Sequence, residues 1–110
     1  MRALTVRVIT LSLGIICVLA LVTTTFAQSD AASIFKANCV LCHGADGSGN
    51  TSAGKALKAK DLRSDEVQKQ SDAALIDAVT KGKGNMPAFG SKVKPEEVKS
   101  LVAYIRALKK

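Results

Sequence analysis

The sequence predicts a small all-α domain of three to four helices, and three observations lead there. Apolar residues recur at the helical period in two stretches: Leu75, Ile76 and Val79, then Val98, Leu101, Val102, Ile105 and Leu108. No segment of useful length alternates apolar and polar residues as a half-buried strand does. The connecting stretches are glycine-rich, "GADGSGNTSAG" at 44–54 and "GKGNMPAFG" at 82–90.

Residues 1–27 read as a secretory leader. Arg2 and Arg7 make a basic start, Val8 to Val22 is almost wholly apolar, and Thr25 and Ala27 are small residues suited to a cut after Ala27. An uncleaved anchor is the rival, because Val8 to Ala27 approaches the ~20 apolar residues of a membrane span. Cys17 sits inside the apolar run after a bulky Ile16 and reads as an ordinary apolar residue. The domain is then 28–110. Its first helix is expected from Asp30 to Cys42, capped by Ser29 or Asp30, with Ala31, Ile34, Phe35 and Asn38 along one side. Residues 44–54 are expected to form a loop. A short helix is expected over Asp65 to Lys69. Ser71 is a good N-cap for the next helix, with Asp72 in its first turn and Gly82 as its stop. Pro95 opens the last helix, Glu96 and Glu97 suit its positive end, and Lys109 and Lys110 suit the other.

The chain is long enough for one domain. Its formal net charge is +7, which becomes +5 without Arg2 and Arg7. Beyond the leader the aromatic residues are Phe35, Phe89 and Tyr104, with no Trp. A core so short of bulk, in so small a domain, calls for a cofactor, a metal or a disulfide.

Cys39-Val40-Leu41-Cys42-His43 is C-x-x-C-H and holds the chain's one histidine. A disulfide closing so short a loop stabilises little through chain entropy. A thioredoxin-like pair needs a strand and helix context that is not apparent here. A zinc site lacks a second Cys or His pair in residues 28–110. Covalent haem attachment needs two thiols at this spacing, one for each vinyl group, and a histidine next to them for the iron. An export leader agrees with it. The candidate cofactor residues are therefore Cys39 and Cys42 as thioethers and His43 as axial ligand of one haem c.

The second axial position points to Met86. Electron-transfer haems often pair His with Met. A core methionine belongs on a helical stripe, whereas Met86 lies among glycines and before Pro87, which excludes a helix interior and favours an extended backbone.

With these motifs the sequence resembles the class I c-type cytochromes, specifically the small monohaem bacterial and photosynthetic-lumen members. "AASIFKANCVLCHG" is similar to their N-terminal helix, "GKGNMPAFG" to their methionine loop and "EEVKSLVAYIRAL" to their C-terminal helix. The resemblance implies that the two terminal helices cross, with Ala32, Phe35, Leu101, Tyr104 and Ile105 at the crossing. It implies a haem packed by Leu57, Leu62, Leu75, Ile76, Val79, Phe89 and Val98. Many members place a proline carbonyl against the ligand histidine, but no proline lies between His43 and Met86. Another carbonyl, expected within 51–57, must orient the ring. Arg63 or Lys55 is a candidate partner for a haem propionate.

The implied function is one-electron transfer between redox partner proteins, not enzymatic turnover. No nucleophile with a base, paired catalytic carboxylates or phosphate loop is present. The alternative is a haem-based ligand sensor or peroxidase-like enzyme in which the sixth ligand is labile. Lys81 and Lys83 lie close to Met86 and could replace it at alkaline pH. Lys36, Lys55, Lys58, Lys60, Lys81, Lys83, Lys92 and Lys94 flank the expected haem-facing loops. They suit either a solvated surface or an acidic docking face on a redox partner. Nucleic acid is not expected, for want of aromatic interleaving or a binding motif. The expected state is a monomer in the periplasm, with the thylakoid lumen or a membrane-anchored periplasmic face as alternatives.

Overall fold

The computed structural model describes residues 30–110. The expected leader and Cys17 lie outside these residues. Helix α1 covers residues 30–38 and is followed by α2 at Val40–His43. The single helix expected through Cys42 is thus interrupted at Cys39, where φ is −115°. The path stays nearly helical, because the Cys39 amide donates to the Phe35 carbonyl at 2.8 Å and the His43 amide to the Cys39 carbonyl at 2.9 Å.

Helix α3, Ser52–Leu57, begins inside the stretch expected to be a loop. Glycines and small residues hide it from apolar periodicity, but Thr51 nucleates it: its Oγ1 accepts from the Gly54 amide at 2.8 Å. Helix α4 is a single turn, Asp65–Gln68, capped by Ser64. Helix α5, Asp72–Lys81, starts where expected, with Ser71 Oγ accepting from the Ala74 amide at 3.1 Å. It stops at Gly82, which has φ +79°. Helix α6 runs Pro95–Ala107, and Glu97 Oε2 accepts from the Lys94 amide at 2.8 Å, fixing its start. The described residues thus hold three longer helices and three short ones. Among the described residues there is no strand, only an isolated antiparallel bridge between Lys83 and Met86. No described helix is long and apolar enough to cross a membrane.

The core sits where α1 and α5 pack on α6. Val98, Leu101, Val102 and Ile105 form the buried stripe of α6. They cluster with Phe35, Leu62, Val67, Leu75, Val79 and Val93. Each large apolar side chain so buried stabilises the fold by about 2 kcal/mol. The expected crossing of the terminal helices is carried by Phe35 and Tyr104, whose ring centroids lie 5.0 Å apart with a 43° tilt. Ala31 rather than Ala32 is the fully buried alanine there. One helical step decides this, since the core-facing side of α1 follows Ala31, Ile34 and Phe35. Leu57, expected in the packing set, is 43% exposed at the end of α3. Gln68 and Arg106 close the other end of the core. Gln68 Nε2 donates to the Leu62 and Ile105 carbonyls at 2.7 and 3.0 Å. The Arg106 guanidinium reaches the Gln68 and Gln70 carbonyls and Asp72.

Candidate haem site

Cys39 and Cys42 flank one helical turn and both are free, half-buried thiols. Cys39 packs against the core cluster. Burial, and then the neighbouring Cys42, push its thiol up to about 11. The unmodified thiol is therefore protonated near neutral pH. Among the described residues no group of three or more His, Cys, Asp or Glu side chains could hold a metal ion.

His43 ends α2, half-buried. Its Nδ1 lies 3.0 Å from the Lys60 carbonyl oxygen. A carbonyl can only accept, so the proton belongs on Nδ1 and Nε2 carries the lone pair. Burial lowers the ring's pKa, and the Lys60 carbonyl opposes that shift more weakly. A neutral imidazole with a free Nε2 and a carbonyl behind it is the arrangement that metal-ligating histidines favour. The orienting carbonyl is therefore Lys60, not one within 51–57 as expected. The reason is the turn after α3: Lys58 adopts the left-handed conformation, φ 56°, and brings the following residues back toward α2.

Several close contacts lock this side. Thr51 Oγ1 donates to the Leu41 and Cys42 carbonyls at 2.8 and 3.1 Å while accepting from Gly54. The Gly49 amide donates to the His43 carbonyl at 2.7 Å. A Cβ on Gly54 would collide with the Cys42 and Gly49 carbonyl oxygens. Sequence reading missed Thr51 and Gly54; the T-x-x-G spacing inside a glycine-rich stretch was the available signal.

Met86 lies on the loop after α5, half-buried and packed against the core cluster, as Ile76 and Phe89 also are. The Lys83 amide donates to the Met86 carbonyl at 3.1 Å and the Met86 amide to the Lys83 carbonyl at 3.0 Å, making a tight reversal. Gly84 at its tip has φ +59°, and Gly82 at its base packs 2.7 Å (to a would-be Cβ) from the Met86 carbonyl. The Phe89 amide then returns to the Val79 carbonyl at 2.9 Å.

These residues fit a haem. The two thiols share a turn with a ring whose Nε2 is free, and a thioether is presented from a separate non-helical loop. Leu41, 77% exposed, and Leu57 leave apolar surface near the attachment turn and α3. The Arg63 guanidinium is paired with Asp61 at 2.9 and 3.0 Å, and Asp46 lies 3.5 Å away. Lys55 remains an exposed side chain. The groove of about 370 Å³ lined by Asp30, Ser33, Ile34, Glu96, Glu97 and Ser100 includes none of the four candidate ligands, so it is a separate feature.

Comparison with known proteins identifies the family. The family described as cytochrome C oxidase, cbb3-type, subunit III matches residues 26–105. A cytochrome c6 from Microcystis aeruginosa is 42% identical over 78 residues, which cover 71% of this chain and 93% of that protein. The cbb3-type cytochrome c oxidase subunit FixP from Azorhizobium caulinodans is 36% identical over 84 residues, but they cover 27% of that longer protein. Among solved structures, the KustC0563 c-type cytochrome superposes with a TM-score of 0.67 at 36% identity, covering 73% of this chain and 98% of that one.

Proposed function

The chain belongs to the class I c-type cytochromes, electron carriers with one covalently bound haem c, and from that premise we propose that it uses His43 and Met86 as axial ligands. Cys39 and Cys42 are the attachment thiols in this reading. The observation that carries it is the Lys60 carbonyl on His43 Nδ1, which leaves Nε2 free as a neutral donor. When bound, the haem supplies an iron that cycles between ferric and ferrous.

The chain's own residues make that cycle easy. His43 is fixed by Lys60 and by the α2–α3 packing, so its ring need not move between oxidation states. Met86 is a soft, uncharged donor, and pairing it with His raises the reduction potential. Apolar residues of the core cluster keep water from that side. Exposed Leu41 lies between the two attachment cysteines and marks the edge through which electrons enter and leave.

The exposed lysines on or just after α3 and near the methionine loop, Lys55, Lys58, Lys60, Lys81 and Lys83, of which Lys60 pairs with Glu66 and Lys81 with Asp77, suit a redox partner with an acidic docking face. The protein acts as a monomer in the periplasm after loss of residues 1–27, leaving the domain 28–110. Mass spectrometry of the exported protein should find Gln28 at the N-terminus; an intact leader would favour the membrane-anchored form.

Spectroelectrochemical titration of protein made in an exporting, haem-attaching host tests the functional reading. A reversible one-electron step between low-spin oxidised and reduced forms is expected. A retained high-spin haem that binds diatomic ligands without prior ligand loss would favour the sensor or peroxidase reading instead.

A further inference from the structure

Asn85 precedes the candidate ligand Met86, and its Nδ2 donates to the Leu57 carbonyl oxygen at 3.1 Å. Leu57 ends α3, so its carbonyl is one of those a helix cannot satisfy within itself. The amides that follow it are used elsewhere: Lys58 donates to Lys55 and Ala59 to Gly54. Two residues beyond Lys58, the Lys60 carbonyl holds His43. The four residues 57–60, folded by the left-handed turn at Lys58, thus contact both ligand-bearing segments. At one end they receive Asn85, at the other His43.

We infer that Asn85 is a positioning residue: its amide clips the methionine loop to the α3 segment that orients His43, and so restrains Met86 against displacement. This deepens the His43/Met86 reading and rests on it. The other hydrogen bonds described for the loop are internal, Lys83 with Met86, lead back to α5, from Gly82, Phe89 and Gly90 to Ala78, Val79 and Thr80, or run forward, with the Phe89 carbonyl accepting from Lys92 and Val93. None of these ties the loop to the histidine side.

The test is imidazole binding to the ferric holoprotein, followed spectroscopically beside thermal unfolding. Wild type is compared with Asn85→Ala, Asn85→Asp and Ser71→Ala. Asn85→Asp keeps the shape but cannot donate from its carboxylate. Ser71→Ala removes the α5 cap, a structural loss outside the clip. Losing one net hydrogen bond should raise the apparent imidazole affinity about five-fold in both Asn85 variants. In Ser71→Ala it should stay within about two-fold of wild type, although its thermal midpoint falls. Wild-type affinity in both Asn85 variants would overturn the clip alone, as would an equal rise in Ser71→Ala. A wild-type ferric spectrum without the weak red charge-transfer band of methionine ligation would overturn the ligand reading, and the clip with it.

Discussion

The two sides of the haem site are built differently. The histidine side, residues 39–60, is held by interlocked main-chain contacts. His43 takes the Lys60 carbonyl, Thr51 bridges α2 and α3, and Gly54 sits so close to Cys42 that no Cβ fits. The methionine side, residues 82–90, is a reversal closed by one backbone pair, with exposed Gly84 and Asn85 at its tip. Covalent attachment demands a fixed geometry, and that is where the fold places its rigidity. Ligand exchange and tuning need a segment that can yield, and the glycine-flanked loop supplies one. On the proposed ligation, the barrier to losing Met86 is set by this loop and its Asn85 contact with α3, whereas the barrier to losing His43 is set by the denser contacts of residues 39–60.

Breaking the histidine side should have the largest effect. Gly54→Ala drives a Cβ into two carbonyl oxygens that belong to backbone and cannot swing away. It should cost about 3 kcal/mol or more, enough to lower the thermal midpoint by about 10 °C or more. Thermal melts of purified holoprotein, with haem recovery as a second readout, would show it. A near-wild-type melt would mean that α2 and α3 are free to separate.

On the methionine side, Gly82→Ala should act more strongly than Gly84→Ala. Both residues have positive φ, which costs an alanine about 1–2 kcal/mol, but only Gly82 also faces the Met86 carbonyl, while nothing lies within 4 Å of a Cβ on Gly84. Gly82→Ala should weaken the charge-transfer band of the ferric protein at a temperature where Gly84→Ala leaves it intact. Equal spectra for the two variants would contradict a loop strained at its base.

A smaller effect should appear in acid. Hydrogen bonds from Arg63, side chain first and then backbone, hold the Asp61 carboxyl down to about 2 from an ordinary 3.8. A lowered folded-state pKa means that the pairing stabilises the protein above the unfolded value and is lost as pH falls through the folded one. Between about pH 4 and 2 the wild type should lose stability faster than Asp61→Asn does, measured by circular dichroism in denaturant. Because Asp61 follows Lys60, the acid transition should loosen the histidine side; parallel curves for the two proteins would remove Asp61 from that account.

Much of the fold was legible in the sequence because α5 and α6 carry regular apolar stripes between good caps. Ser71, Gly82 and Pro95 stand where helix ends require them. The C-x-x-C-H motif likewise pointed to haem c, the cofactor of the family to which the chain belongs. Helix α3 was not legible, since a six-residue helix with one leucine among serine, alanine, glycine and lysine has no apolar period and reveals itself through Thr51 and the close approach at Gly54. The orienting carbonyl was legible as a requirement but not as an address. It depends on a left-handed Lys58, and nothing in that side chain announces such a turn. The pairing of Arg63 with Asp61, two residues away, was likewise not anticipated from the sequence.

The most direct test of the site is a pair of spectra, wild type and Met86→Ala, recorded oxidised and reduced before and after acid–acetone extraction. The account predicts that haem stays with both proteins through Cys39 and Cys42. It predicts that the wild type is low-spin with the methionine charge-transfer band, and that Met86→Ala loses that band while keeping its fold. Haem extracted from the wild type, or an unchanged band in Met86→Ala, would contradict it.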